Sequence, residues 1–288
     1  LFHHAYISSP SCTPSRNAIL TGQYHWRLGG GANLWSTLDD NLQTFPHLLR
    51  DVGYFTGSWR KSWGPGKLTG KWAKDHPAGQ PYQGGFPEFL AARPADQPFF
   101  FWLGASDPHR PYKFNSGRES GMNIDRVKLF PFMPDVDELR SDLADYYFEV
   151  QRFDSDVAAA LKLLEEIGEA DNTIVVITGD HGFPFPRGKS NLYDAGARVP
   201  LAVRWPGHVI PEQIRHGFVS LTDLAPTFLA AAGAAIPADM TGIDLLPALT
   251  TTAGDAKLRP YVLTGKERHV PAQEAPDYGG YPMRAIRT

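Results

Sequence analysis

An α/β fold, with a central mixed and mostly parallel sheet covered by helices on both faces, is predicted by three features of this 288-residue chain. Three short apolar runs, FFFWLG at 99–104, TIVVIT at 173–178 and PLAVRW at 200–205, read as buried strands, each bounded by polar, Gly or Pro residues. Between the first two lies 136–168, where Leu139, Leu143, Tyr146, Tyr147, Val150, Phe153, Val157, Leu161 and Leu164 recur at three- and four-residue steps. That spacing makes one apolar face of a long helix, which Gly168 ends. Strands separated by helices favour parallel pairing, because a crossover helix returns the chain to the same end of the sheet.

Further helices are expected at 14–21, 43–52 and 222–233. In the first, Pro14 stands in the opening turn, where its missing N–H costs nothing, and Gly22 supplies the stop. In the third, Thr222-Asp223 reads as the capping pair and Pro226 falls near the first turn. The stretch 57–98 is rich in Gly, Pro, Lys and Trp and reads as long surface loops, a class that often carries function. There is no internal repeat and no low-complexity tract.

Bulk properties exclude several function classes. One cysteine rules out an internal disulfide and any cysteine-based zinc cluster, while leaving the compartment open. The net charge of -3 gives no global basic field to recruit nucleic acid. No apolar run is long enough to cross a bilayer. The opening Leu1-Phe2-His3-His4 and the closing YPMRAIRT, itself like the start of a strand, read as internal sequence, so the lack of a targeting segment says nothing about localisation.

The one cysteine lies in SPSCTPSRNAILTG, just before the predicted first helix. Helix N-termini present free N–H groups and a favourable dipole to negative charge, which activates a thiol and stabilises an oxyanion. Arg16, four residues on, can return toward Cys12 over one turn. Local physics therefore allows an anion-handling nucleophile, while the usual fate of a lone cysteine is a buried structural one. Other polar residues divide the same way. Asp180 and His181 follow an apolar strand, where ligands collect in open α/β sheets and a carboxylate suits Ca²⁺ or Mg²⁺; they also fit a plain polar turn. His109, between prolines, fits a surface turn, and Lys189 an ordinary exposed lysine.

CTPSR matches the C-x-P-x-R signature of the sulfatases, and LTG follows it as it usually does there. Other segments resemble that family in the right order: NLQTFPHLLRDVGYFTG, DPHRPY at 107–112, NTIVVITGDHG at 172–182, GKSNLYDAGARVPLAVRWPG at 188–207, TDLAPTFLAAAG and GIDLLPAL. GDHGFPFPRGKSNLYD looks most like the sulfamidase branch, whose known member cleaves N-sulfoglucosamine in heparan sulfate. The resemblance implies a sulfatase-like α/β sandwich, with a catalytic domain over 1–257 and the start of a smaller C-terminal subdomain over 258–288.

For the site, the resemblance implies that a formylglycine-generating maturation enzyme oxidises Cys12 to formylglycine, whose hydrate attacks sulfur. A divalent metal, Ca²⁺ ahead of Mg²⁺, is held by Asp180, His181 and residue 12; many relatives carry Asn in place of His181. Lys61 and Lys189 neutralise the sulfate oxygens, His109 protonates the leaving alcohol or amine, and Arg16 holds the aldehyde hydrate. The second hydroxyl then loses its proton, sulfate departs and the aldehyde returns. The family's other metal ligands are an aspartate pair after a first strand, and this chain begins past that point. LDDN at 38–41 precedes a helix, so Asp39 and Asp40 read as helix-start carboxylates. In GYFTGSWRKSWGPGK, Lys61 keeps the family's lysine register, Trp63 replaces the usual histidine, and Lys71 comes too late. His3, His4 and His25 read as structural, and Arg187 and Tyr112 as polar lining of a pocket. The implied partner is a sulfated carbohydrate, with no nucleic acid and no membrane span, in a secreted, periplasmic or lysosomal setting. Two other readings stay open: a phosphonate or phosphodiester hydrolase of the same alkaline-phosphatase superfamily, and an inactive sulfatase-like binding protein.

Overall fold

The computed structural model describes residues 1–267 and 281–288. In chain order it contains β1 (Phe2–Tyr6), α1 (Cys12–Thr21), α2 (Phe45–Asp51), β2 (Phe55–Arg60), β3 (Gln80–Pro81), α3 (Gly85–Ala92), β4 (Phe99–Gly104), α4 (Ser116–Glu119), α5 (Asp137–Glu166), β5 (Val175–Thr178), α6 (Asp194–Ala197), β6 (Arg198–Arg204), β7 (Arg215–Ser220), α7 (Leu224–Ala231), α8 (Leu246–Leu249), β8 (Val262–Lys266) and β9 (Met283–Arg287). One compact unit comprises Leu1–Leu103 with Asp171–Thr288, and a second comprises Gly104–Ala170.

The first unit holds a four-stranded sheet of order β5-β6-β1-β7. β6 is antiparallel to both β5 and β1, and β1 is parallel to β7, so three strands share a direction and β6 opposes them. Two consequences position everything that follows. The carboxyl ends of β1 and β5 fall on one edge of the sheet, and β6 starts from that same edge. Chain leaving β1 there enters α1, and chain leaving β5 there carries Asp180 and His181. A three-stranded sheet of order β3-β2-β4 and a β8–β9 hairpin complete the sheets among the described residues.

Every residue of α1 is buried, so this helix is central to the unit rather than amphipathic on its surface. It packs in a core with Tyr6, Ile7, Phe45, Leu201, Val219, Leu221 and Leu229. Its end depends on Gly22, whose φ of 65° is left-handed and whose missing Cβ would lie 2.8 Å from Met240 Sδ. Phe45 of α2 meets Phe100 of β4 edge-on at 4.9 Å and Phe228 of α7 at 5.3 Å. A buried polar hub sits at Asp223. Its carboxylate accepts from Ser220 N at 2.9 Å, Ile243 N at 2.8 Å and the Arg259 guanidinium at 2.6 and 3.1 Å.

The second unit is built on α5, whose Asp145 accepts from Asn115 N at 3.0 Å and Gly117 N at 2.8 Å, ordering α4 against it. Arg110 forms a two-pronged pair with Asp142 at 2.9 and 2.6 Å. No helix among the described residues is long and apolar enough to cross a membrane.

Several expectations need correction. The stretch 57–98 is not continuous loop: it holds most of β2, then β3 and α3, because Phe55, Phe86, Phe89, Phe99 and Phe101 form an aromatic cluster that orders it. FFFWLG and TIVVIT are strands but are half-buried, since β4 and β5 each end the order of their sheet. α1 begins at Cys12 itself. The helix expected at 222–233 opens as a 3₁₀ turn, Leu221–Asp223, capped by Ser220 in a capping box with Asp223; α7 follows with Asp223 at its N-cap position and no side-chain cap bond. Asp39 and Asp40 do not start a helix, for α2 begins only at Phe45. Instead Asp39 accepts from Asn41 N at 2.9 Å, closing a turn, and Asp40 accepts from Lys71 N at 3.2 Å, tying down a segment 31 residues on.

Two outcomes are expected. Asp223→Ala leaves the mostly buried Arg259 charge without its partner and lowers unfolding free energy by about 3–5 kcal/mol, whereas Lys113→Ala, breaking the exposed pair with Glu119, costs under about 1 kcal/mol. Denaturant titrations that found equal losses would contradict this. Burial lowers the His25 pKa from 6.5 to about 3, so its ring stays neutral when folded. The unfolded chain therefore takes up a proton that the fold refuses, and stability present above pH 6.5 is lost as pH falls toward about 3. His25→Gln should reduce the slope of stability against pH by about 1.4 kcal/mol per unit between those limits.

Candidate functional site

Cys12 is 1% exposed at the first turn of α1, with its Sγ at the meeting point of three segments. Lys61, the residue after β2, donates from Nζ to Sγ at 3.2 Å. His181, beyond β5, brings Nε2 to 3.3 Å from Sγ. Its Nδ1 lies 2.7 Å from Gly182 O, and a carbonyl can only accept, so Nδ1 carries a proton and Nε2 is the nitrogen turned toward Cys12. Arg16 lies one turn along α1 and binds Asp180 Oδ2 through Nε and Nη2, both at 2.9 Å. Its Nη1 also donates to Lys61 O. One guanidinium thus joins the mouth of α1, the end of β2 and the end of β5.

The charges reinforce one another. Burial by itself raises the Asp180 carboxyl, but the Arg16 guanidinium, with His181 and the Lys61 ammonium adding, holds it well below the usual carboxylate range. Burial lowers His181, and the Asp180 carboxylate together with the Cys12 contact more than reverses this, so the ring binds a proton more tightly than usual. Two cations, an anion, a titratable ring and a helix N-terminus therefore surround one sulfur atom, an arrangement suited to holding a small oxyanion.

Cys12, Asp180 and His181 place one ligand atom each within 4.8 Å of one another, among the described residues. They fit a divalent cation as part of a ligand set. Arg16 occupies Oδ2 of Asp180, leaving Oδ1 on the side of His181, 3.7 Å from its Nε2. His181 donates its other ring proton to a carbonyl, the usual support for a ligating imidazole.

The remaining residues fall in several places. Lys189 is half-buried in the loop between β5 and α6; its own N donates to Phe183 O at 3.0 Å, and Ser190 N donates to Pro10 O at 2.7 Å, docking this loop on the segment that leads into Cys12. Arg187, exposed with φ 62°, stacks over Tyr193. Trp63 donates from Nε1 to Asn17 Oδ1 at 2.7 Å, and so braces α1. Lys71 donates to Leu42 O at 2.8 Å. His109 and Tyr112 belong to the second unit: His109 is exposed with Nδ1 on Arg110 O, and the Tyr112 hydroxyl donates to Pro108 O at 3.1 Å. His25 is buried against the Ser8 hydroxyl at 2.9 Å, while His3 and His4 adjoin each other on β1. Sequence reasoning missed the supports from β8: Gly265 N donates to Ser8 O at 2.9 Å, and Lys266 Nζ to Ser190 O at 3.1 Å. No local pattern announces such contacts, because each is a backbone group meeting a distant residue.

A family model described as sulfatase matches residues 1–234. Human N-sulphoglucosamine sulphohydrolase is 32% identical over 300 residues, covering 86% of this chain and 59% of that protein. The chain spans half to three fifths of the length of the first curated relatives it matches. Among solved structures, a phosphonate monoester hydrolase from Silicibacter pomeroyi superposes with a TM-score of 0.77 at 20% identity, over 99% of this chain and 78% of that one. A protein solved in complex with its substrate D-glucosamine-2-N,6-O-disulfate superposes with a TM-score of 0.71 at 22% identity, over 100% and 79%. At these identities the two structures speak to fold alone.

Asp180→Ala strands the Arg16 charge, 8% exposed, and is expected to cost about 3–5 kcal/mol of stability in chelator. Asp180→Asn keeps an accepting oxygen and should cost clearly less. Equal denaturation midpoints for the two variants would contradict the geometry.

Proposed function

The chain belongs to the sulfatase family, and from that premise we propose that the protein removes sulfate from a sulfated carbohydrate through a formylglycine made at Cys12. The observation that supports this most is the convergence of Lys61, His181 and the Arg16–Asp180 pair on the Cys12 side chain. Such a cluster is over-built for a structural cysteine, because burying this much charge is costly unless the charges serve a ligand.

Asp180, His181 and the oxidised side chain of residue 12 would hold a divalent metal, Ca²⁺ or Mg²⁺, which supplies Lewis-acid polarisation of the sulfate. The chain's own groups do the rest. A separate maturation enzyme converts the thiol to the aldehyde, and its hydrate presents the nucleophilic oxygen. Lys61 donates to the sulfate oxygens, and the α1 N-terminus lowers the cost of the charge that builds up there. Arg16 keeps Asp180 ionised and oriented. On the resemblance alone, Lys189 is assigned to the sulfate and His109 to protonating the departing oxygen or nitrogen.

Similarity to the human N-sulphoglucosamine sulphohydrolase favours an amino sugar carrying an N-sulfo group as substrate. A second reading, hydrolysis of phosphonate or phosphate esters, draws on the Lys61, Arg16 and α1 N-terminal surroundings of Cys12, since cation-lined oxyanion sites accept both tetrahedral anions. The resemblance also favours a secreted, periplasmic or lysosomal setting.

In full-length protein from its native source, the peptide ending at Arg16 should carry an aldehyde in place of the Cys12 thiol, read by mass spectrometry. A uniform free thiol would sink the formylglycine mechanism. Matched aryl sulfate, glucosamine N-sulfate and phosphonate ester substrates separate the readings: sulfate release should exceed phosphonate cleavage and should fall at least about a hundredfold in Cys12→Ala. The reverse preference would move the assignment to the phosphonate reading.

A further inference from the structure

From 52 through 74 the chain carries Arg60, Lys61, Lys67, Lys71 and Lys74 and no Asp or Glu, in a protein whose net charge is -3. The run starts at the site, because Lys61 touches Cys12 Sγ. Beyond it, Arg60 stacks on Trp59 at 3.8 Å and Lys71 is engaged by Leu42 O and Trp72, whereas Lys67 is exposed and forms no ion pair among the described residues.

Lys67 lies next to an unusual aromatic residue. Trp35 is 64% exposed and has φ 58°, a left-handed conformation that bulky residues seldom adopt and keep only where their surroundings hold them. Here the surroundings are the basic segment itself. Trp35 N donates to Pro65 O at 3.2 Å, Lys67 N donates to Ser36 O at 3.0 Å, and Ser36 bridges Gly66 in parallel β fashion. Gly66 has no room for a Cβ there, since one would lie 2.2 Å from Ser36 O. The Ser36 hydroxyl locks the turn by donating to Asn33 O at 2.6 Å. Pro65 O also accepts from the hydroxyl of Thr13, the residue after Cys12. An exposed Trp35 and an exposed Lys67 are thus carried on two backbone-paired segments, tied through Pro65 O to the first turn of α1.

We infer that Trp35 and Lys67 form a subsite for a sugar unit adjoining the one that loses its sulfate, so that the preferred substrate is an oligosaccharide chain bearing several anionic groups rather than a single sugar. The inference rests on the proposed sulfatase reading for the identity of the neighbouring site. The apolar face of a pyranose ring stacks on an indole, and a sulfate or carboxylate on the same or the next ring pairs with Lys67. A single strand of nucleic acid also combines stacking with negative charge. The bond from Thr13, the residue after Cys12, to Pro65 O ties this segment to a cluster proposed above to take a sulfated sugar, which favours the glycan.

Calorimetric titration of the full-length protein with a heparin-derived hexasaccharide tests this. Trp35→Ala should weaken binding about tenfold. Trp35→Tyr, which keeps a stacking face, should restore most of it. Lys67→Ala should weaken binding about threefold to tenfold and reduce its salt dependence. Turnover of a small aryl sulfate should stay within about twofold of wild type in all three, since none of these side chains touches Cys12. Unchanged hexasaccharide affinity in both Trp35→Ala and Lys67→Ala overturns the subsite, as does tighter binding of a single-stranded oligonucleotide through the same two residues. Loss of hexasaccharide affinity in a protein that cleaves no sulfate at all would uphold the subsite and reject the sulfatase reading.

Discussion

The ion pair between Arg16 and Asp180 joins two residues 164 positions apart and is mostly withdrawn from water. Removing a guanidinium and a carboxylate from solvent costs several kcal/mol each, and the mutual attraction offsets this only when geometry is good and the remaining donors are met. Both conditions hold, because two nitrogens of Arg16 share one oxygen of Asp180 and a third meets the carbonyl of Lys61. The pair therefore couples α1, the end of β2 and the end of β5. Displacing any one of them exposes an unpaired charge to a poorly polar interior.

The sheet supplies the premise for that contact. With β6 opposing its neighbours, β1 and β5 end on the same edge although most of the chain separates them. α1 is held on every side, so its N-terminus cannot turn away from that edge. The Lys189 loop and β8 then press on the segment before Cys12 through Ser190 N and Gly265 N. Groups held this way by packing and hydrogen bonds need little reorganisation when charge develops beside them, the condition that electrostatic catalysis requires. The same rigidity reaches outward, since the carbonyl of Pro65 serves both Thr13 and the backbone of Trp35.

Much of this was legible along the chain. The long helix over 136–168 appears as α5, because a repeat spaced at three and four residues leaves no other periodic structure. CTPSR and GDHG were marked as chemistry by their resemblance to the sulfatases, since local physics alone left each of them open to a plain structural reading. The region 57–98 was misjudged. Its Gly and Pro content reads as loop, but β2 and α3 are ordered by ring contacts among phenylalanines that meet only after folding. Asp39 and Asp40 were misassigned for a related reason: a carboxylate that starts a helix looks in sequence like one that closes a turn or accepts from a distant backbone N–H.

What the sequence determined by itself was the long helix, the apolar strands and the residue types at their ends: a cysteine at a helix mouth, and a carboxylate and an imidazole after an apolar strand. These follow from periodicity, capping and local charge, which act over a few residues. What only the tertiary structure decided was that Arg16 meets Asp180, that the Lys61 ammonium bonds the Cys12 sulfur itself, and that Trp35 stands on the basic segment. Those contacts depend on which strands pair, in which direction and register, and a chain folds to them because charges and backbone groups leaving water must find their partners together.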